Sequence, residues 1–282
     1  MHAAHRTATL AALAVALPVL AQELKIENLL VLPFEDAPAA AAGQSFLTGA
    51  QAYFRFEIRG YRKIEKNDDE FVQLAWEMEV TDPAGVPITE PKNGKIAKQI
   101  FPQDKGWKPV VRQEALIPPL GPSGEYRVRV RVRDEYANAA AAAEARFAVR
   151  GRDVEPSDTM AVRNFRFLRS NEDREALREA VYARGSTLWA RFDMTGYRLA
   201  EGNRYDVEYA IAILDAAGRE LYSQPEPAVE SGQSFYPRRY TPGALSLDID
   251  RDTAVGKYTL VLRVKDRISG QTAEWRQGFA VE

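Results

Sequence analysis

The stretch Gly124-Glu125-Tyr126-Arg127-Val128-Arg129-Val130-Arg131-Val132-Arg133-Asp134 decides the fold. Apolar and charged side chains alternate along it with a period of two, which is the signature of a β-strand with one buried and one solvated face. Its counterpart, Gly256-Lys257-Tyr258-Thr259-Leu260-Val261-Leu262-Arg263-Val264-Lys265-Asp266, lies 132 residues downstream with the same glycine, tyrosine and terminal aspartate. The chain therefore aligns with itself.

The match extends in both directions. Ile26–Leu32 meets Val162–Leu168 at a shift of 136, and the same shift superimposes Gly60-Tyr61-Arg62 on Gly196-Tyr197-Arg198. Asp82-Pro83-Ala84-Gly85 meets Asp215-Ala216-Ala217-Gly218 at 133, and Phe147 and Val149 meet Phe279 and Val281 at 132. A shift that changes only between elements describes one unit present twice, with length differences confined to loops. Each unit has an ordinary domain size, and the polar Gly/Pro segment Arg150–Ser157 separates them. The expected organisation is an N-terminal segment 1–21, a first unit 22–152 and a second unit 153–282.

Inside each unit the period stays at two. Val72, Leu74, Trp76, Met78 and Val80 alternate with Gln73, Ala75, Glu77 and Glu79, and Tyr205, Val207, Tyr209, Ile211 and Ile213 keep that phase in the second copy. The first unit reads as about seven strands, near 24–32, 52–61, 70–81, 86–90, 110–117, 125–134 and 142–150. Ala139–Ala143 reads as a hairpin connection, and Glu172–Tyr182 carries the one helical hint. The fold class is all-β, two tandem antiparallel sandwiches after an export signal.

Trp76 on the third strand and the Gly-x-Tyr at Gly124/Tyr126 and Gly256/Tyr258 resemble the buried aromatic and the tyrosine corner of immunoglobulin-like and fibronectin-III-like sandwiches. The resemblance covers nearly all of residues 24–282 and is architectural. It implies a buried aromatic at Trp76 and a tyrosine corner at Tyr126 and Tyr258. The cysteine pair that bridges the sheets in antibody domains is missing.

Composition narrows the chemistry. Met1–Ala21 has a basic start, a short apolar run and Val19-Leu20-Ala21 at its end, the pattern of a cleavable export signal. The expected compartment is the periplasm or the cell exterior. His2 and His5, the two histidines, lie in that segment, and the chain has no cysteine. A mature chain without imidazole or thiol lacks Ser-His-Asp and Cys-His nucleophiles and the ligands of zinc, haem and blue copper. No cofactor and no enzymatic activity are expected. Lys+Arg number 38 against 40 Asp+Glu, a balance that argues against a nucleic-acid partner.

Four features remain as candidate sites. Arg127, Arg129, Arg131 and Arg133 form a ladder on one strand face, spaced by about 6.6 Å. Such a ladder suits an acidic polysaccharide or protein segment. It equally suits cross-strand pairing with Glu77 and Glu79, and the second copy has weakened both sides together, at Thr259 and Val261 and at Ala210 and Ala212. Trp107, with Lys105 and Lys108 beside it, reads as an exposed anchor in a lysine-rich loop, lysines that also protect a sheet edge. Asp248, Asp250 and Asp252 carry calcium-type spacing, although Leu247 and Ile249 alternate with them as strand positions do, and the EF-hand glycine and glutamate are missing. Tyr236 and Tyr240 join Trp107 as candidate sugar-binding aromatics. The reading is a non-enzymatic envelope or surface module that binds protein or envelope polysaccharide. Its rivals are a carbohydrate-binding pair, a self-associating filament subunit and a strand-lending periplasmic chaperone.

Overall fold

The computed structural model describes residues 23–40, 43–67, 69–104 and 106–282. The expected export segment and Lys105 lie outside the described residues. In the first half the strands are β1 (Lys25–Leu32), β2 (Ser45–Leu47), β3 (Gln51–Arg59), β4 (Ile64–Lys66), β5 (Asp69–Thr81), β6 (Lys92–Ile100), β7 (Val110–Leu116), β8 (Gly124–Asp134) and β9 (Ala139–Arg150). In the second they are β10 (Ala161–Leu168), β11 (Val181–Tyr182), β12 (Thr187–Thr195), β13 (Tyr205–Leu214), β14 (Glu220–Ser223), β15 (Ala228–Gly232), β16 (Tyr240–Asp248), β17 (Gly256–Asp266) and β18 (Thr272–Val281). Helical structure among the described residues is limited to two short 3₁₀ turns, Pro102–Asp104 and Glu201–Asn203.

Each half packs a three-stranded sheet on a six-stranded one. The small sheets run β1-β3-β7 and β10-β12-β16. The large ones run β2-β9-β8-β5-β4, with β6 also on β5, and β11-β18-β17-β13-β14, with β15 also on β13. All pairings are antiparallel except two short parallel ones, β2 on β9 and β11 on β18. The chain is an all-β protein of two tandem β-sandwiches. The first core is built around Phe54, Phe56 and Tyr126, and the second around Leu188, Phe192 and Met194, all essentially fully buried. Each such side chain contributes roughly 2–3 kcal/mol of transfer free energy.

Repeated local devices hold these layers without disulfides. Asn28 and Asn164 take left-handed backbone conformations (φ 52° and 50°) at bulges in β1 and β10. Each amide donates to a carboxylate on the neighbouring strand, Asn28 to Glu57 at 3.1 Å and Asn164 to Asp193 at 2.9 Å. Tyr126 and Tyr258 donate to carbonyls four residues upstream, Pro122 at 3.0 Å and Ala254 at 2.6 Å. Those are the tyrosine corners expected from Gly124/Tyr126 and Gly256/Tyr258. Burial pushes the Tyr126 phenol up to about 12, so it is a donor at neutral pH. Asp134 and Asp266, both fully buried, organise the turns after β8 and β17. Asp134 accepts from the N–H groups of Tyr136 and Ala137 at 2.9 and 3.1 Å and from that of Arg62 at 2.5 Å. Asp266 accepts from Ile268 and Arg198 at 2.9 and 2.8 Å and from the Ser269 hydroxyl.

Several local expectations are corrected. No strand forms over 86–90, where Pro87 and Pro91 leave two positions without N–H donors. The strand comes later, as β6, in the lysine-rich stretch read as a loop. Its inward positions hold Gly94 and Lys98, which hide the period of two. Trp76 sits on the inner face of β5 as expected but is only half-buried, because its partner across the ladder is Gly94. A Cβ on Gly94 would lie 2.6 Å from the indole, whose outer edge has no larger side chain to cover it. The ring meets Phe56 edge-to-face at 6.2 Å. Ala139–Ala143 is the first part of β9 rather than a connection, since Asp134 closes the turn early and the alanines pair from Asp134 down to Val130. Glu172–Tyr182 contains no helix and ends in β11, pinned by β18.

Two measurements check these devices. Tyr126→Phe and Tyr258→Phe are each expected to cost about 1 kcal/mol in urea unfolding, the usual net value of one hydrogen bond. Acid should weaken the second sandwich through Asp266. Burial alone would raise this carboxyl, but the donors from Arg198, Ser269 and Ile268 outweigh burial and hold it below the ordinary carboxylate value. The stability it contributes is then present above the unfolded pKa of about 4 and is lost as pH falls through the lower folded value. Asp266→Asn should flatten that part of the stability–pH curve.

Candidate functional site: an arginine face and a buried joint

The pairing of β8 with β5 and β9 places the arginine ladder on the outer face of the first large sheet. Arg131 lies opposite Glu77 and Arg129 opposite Glu79, the register expected from the sequence. On the other side Arg127 faces Arg146 and Arg129 faces Glu144, while Arg131 and Arg133 face Ala142 and Ala140. Side chains partly satisfy one another across this face. Arg127 pairs with Glu144 at 3.0 Å and Arg131 stands 3.9 Å from Glu77. Arg133 donates to Asn138 Oδ1 at 2.9 Å. Arg129 makes no ion pair among the described residues, although two glutamates flank it in register. Arg146, Arg150 and Lys95 lie on the same face, so bases outnumber Glu77, Glu79, Glu125 and Glu144 there, while the chain as a whole is slightly acidic. The alanines beside Arg131 and Arg133 leave those guanidinium groups standing above a flat floor.

The remaining candidates separate. Trp107 is half-buried rather than an exposed anchor: Tyr61 packs edge-to-face on it at 6.4 Å, and Lys98 Nζ sits 4.7 Å above the ring. Lys108 is exposed close by. Tyr240 is buried in the second sandwich, and Tyr236 is buried against the first, so neither phenol offers a sugar platform. Asp248 and Asp250 are exposed on either side of the buried Ile249, the strand alternation weighed against calcium, and Asp248 accepts from the Thr187 hydroxyl at 2.7 Å. Among the described residues no group of three or more acidic side chains is set to hold a metal ion. No helix among them is long and apolar enough to cross a membrane.

One densely bonded buried group is a residue that sequence reading passed over as turn chemistry. Asp82 follows β5, and its side chain is completely buried. Oδ1 accepts from the N–H groups of Ala84 and Val86 at 2.8 and 2.9 Å. Oδ2 accepts from the Tyr236 hydroxyl at 2.8 Å and the Arg239 guanidinium at 2.7 Å, both in the second half. Burial, with the Asp82 charge at its hydroxyl, pushes the Tyr236 phenol well above its ordinary value. The counterpart turn at Asp215 makes the same two backbone contacts, to Ala217 and Arg219, at 2.9 Å each. There the second oxygen is taken by the guanidinium of Arg219 itself at 2.7 Å. The first copy has Val86 at that place. An aspartate deprived of its local arginine is the signal that comparing the copies offered. Beside the joint, the connecting segment is strapped to the second sandwich: Arg152 pairs with the buried Asp193 at 2.9 Å, and Asn164 donates to the Asp153 carbonyl at 3.0 Å. Burial raises the Asp193 carboxyl against the opposing pull of Asn164, Arg152 and Arg166.

No protein-family model matches the chain, and no curated protein matches it. Among solved structures it is similar to the Pseudomonas fluorescens alkylpurine DNA glycosylase AlkC bound to DNA containing an abasic-site analogue, at 16% identity over 45% of this chain and a TM-score of 0.25. The chain spans about 30% of that glycosylase chain. It is also similar to the C-terminal domain of the Streptococcus agalactiae AgI/II polypeptide BspA, at 10% identity over 92% of this chain and 99% of that one, with a TM-score of 0.30. A second BspA C-terminal structure overlaps at 9% identity, covering 92% of this chain and 99% of that one, with a TM-score of 0.31. Overlaps this shallow carry no functional argument.

Removing the shared carboxylate should uncouple the sandwiches. Asp82→Ala leaves a phenol, a guanidinium and two N–H groups without their acceptor, a cost of about 1–3 kcal/mol with Arg239 half in water. Calorimetry should then resolve two melting transitions where the parent chain shows stronger coupling, and small-angle scattering should show a larger radius of gyration.

Proposed function

We propose that the chain is a non-enzymatic binding module of the cell envelope or surface, built from two immunoglobulin-like sandwiches, residues 22–152 and 153–282. Residues 1–21 act as its export signal, to the periplasm or beyond. The tyrosine corners and the bulged first strands, present in both copies, support the immunoglobulin-like assignment. The observation that carries the binding reading is the outer face of the β9-β8-β5 sheet. Arg129, Arg131 and Arg133 stand in a row there, with one guanidinium unpaired and alanines beside the other two. Guanidinium groups at strand spacing bind carboxylates along an extended acidic chain, an envelope polysaccharide or an acidic protein segment. The buried joint adds a second role as a stiff spacer, holding that face at a fixed angle to the second sandwich.

Retention on immobilised polygalacturonate and on polyglutamate tests the reading. The wild-type chain should be held at low salt and released as salt rises, since exposed pairs are screened. Arg129→Ser with Arg131→Ser should elute at clearly lower salt with an unchanged melting temperature, because neither side chain supports the core. Equal elution of variant and wild type overturns the binding reading and leaves the spacer.

A further inference from the structure

The joint encloses more than the Asp82 cluster. On one side of it Ile88, Leu116, Pro118 and Leu120 of the first sandwich face Tyr236 and Arg238 of the second across a cavity of about 250 Å³. Almost all of its lining is apolar. Leu116 is 49% exposed on its lip. The one cation is Arg238, whose guanidinium lies 4.3 Å over the Tyr205 ring. No carboxylate reaches ion-pair distance of it among the described residues, while its neighbour Arg239 is taken by Asp82.

An apolar pocket with one unneutralised, ring-braced guanidinium at its rim is complementary to an amphipathic anion: an aliphatic group for the cavity and one carboxylate for the arginine. We propose that this pocket takes the C-terminal residue of a partner polypeptide, with a leucine-like side chain between Leu116 and Tyr236 and the terminal carboxylate on Arg238. Strand β7 favours a polypeptide over a free acid. It is the outer strand of its sheet, and it ends at Leu116 on the lip of the pocket. An extended segment running beside β7 in the same direction would bond to its free edge and finish over Arg238. The site is distinct from the arginine face, so each stands or falls alone. It also exists only while the joint is closed, because each sandwich supplies half of it.

Calorimetric titration of the purified chain with an acetylated tetrapeptide ending in leucine tests this directly. The free-acid peptide should bind about ten-fold tighter than the same peptide as its C-terminal amide, and tighter than acetyl-leucine. Arg238→Gln should erase the preference for acid over amide, with no more than the small drop in melting temperature that loss of its contact with the Tyr205 ring entails. Equal binding of acid and amide, or no binding of either, overturns the proposal. Acetyl-leucine binding as tightly as the peptide would make the ligand a free carboxylate and overturn the polypeptide assignment. The acid–amide comparison is made on the wild-type chain, so it decides the matter even if the variant folds poorly.

Discussion

A carboxylate taken out of water persists only where donors replace its hydration; among the four buried aspartates that constraint is met at Asp82, Asp134 and Asp266, and at Asp193 on Oδ2 alone. Each sits where the backbone has spare N–H groups or a strand bulge brings an amide near. In a sandwich with no disulfide they act as its cross-links, tying turns to strands and, at Asp82, one sandwich to the other. A charged acceptor makes bonds roughly twice as strong as a neutral one. It also penalises any opening that would leave it dry and unpaired. The layers supply most of the gross stabilisation.

Duplication makes this logic visible because the two copies spent the same device differently. Asp215 keeps both oxygens within its own turn, closed by Arg219. Asp82 keeps only the turn half and has Val86 where the arginine would be, so its second oxygen is free to leave the domain. The exchange of Arg219 for Val86 thus frees an oxygen on one side of the joint, and Tyr236 and Arg239 supply its donors on the other. The outer sheet faces diverged in the same way. Arg127–Arg133 became a ladder in one copy, whereas in the other Val261 and Ala212 occupy that face and are completely buried.

What could be read beforehand follows the same line. The alternation in 124–134 and 70–81, the repeat and the tyrosine corners were legible because they are local and periodic, and the opposition of Glu77 and Glu79 to the arginines followed from strand order alone. β6 was not legible, because glycine and lysine at its inward positions carry no apolar period. The start of β9 was not either, since an alanine run has no period at all and becomes a strand only through pairing with β8. β2 and β11 exist by courtesy of their parallel partners. Trp107, Tyr236 and Tyr240 were misplaced for one reason: an aromatic in a loop shows its chemistry in the sequence but not the surface that closes over it.

The joint also bears on how far the architecture can extend. Counting back from β7 and β16, which pair in the same way with β3 and β12, Asp104 stands where the second copy has Tyr236, and Trp107 where it has Arg239. A head-to-tail contact copying the internal joint would press the turn of Asp215 onto that loop. Its carboxylate would meet Asp104 instead of a phenol, and an indole instead of a guanidinium. Asp215 has moreover been neutralised by Arg219, and Asp104 lies 3.6 Å from Lys98, so neither end presents the charge that the internal joint uses. The chemistry that joins two sandwiches is therefore used up within one chain. Any chain of such units needs a contact of a different kind.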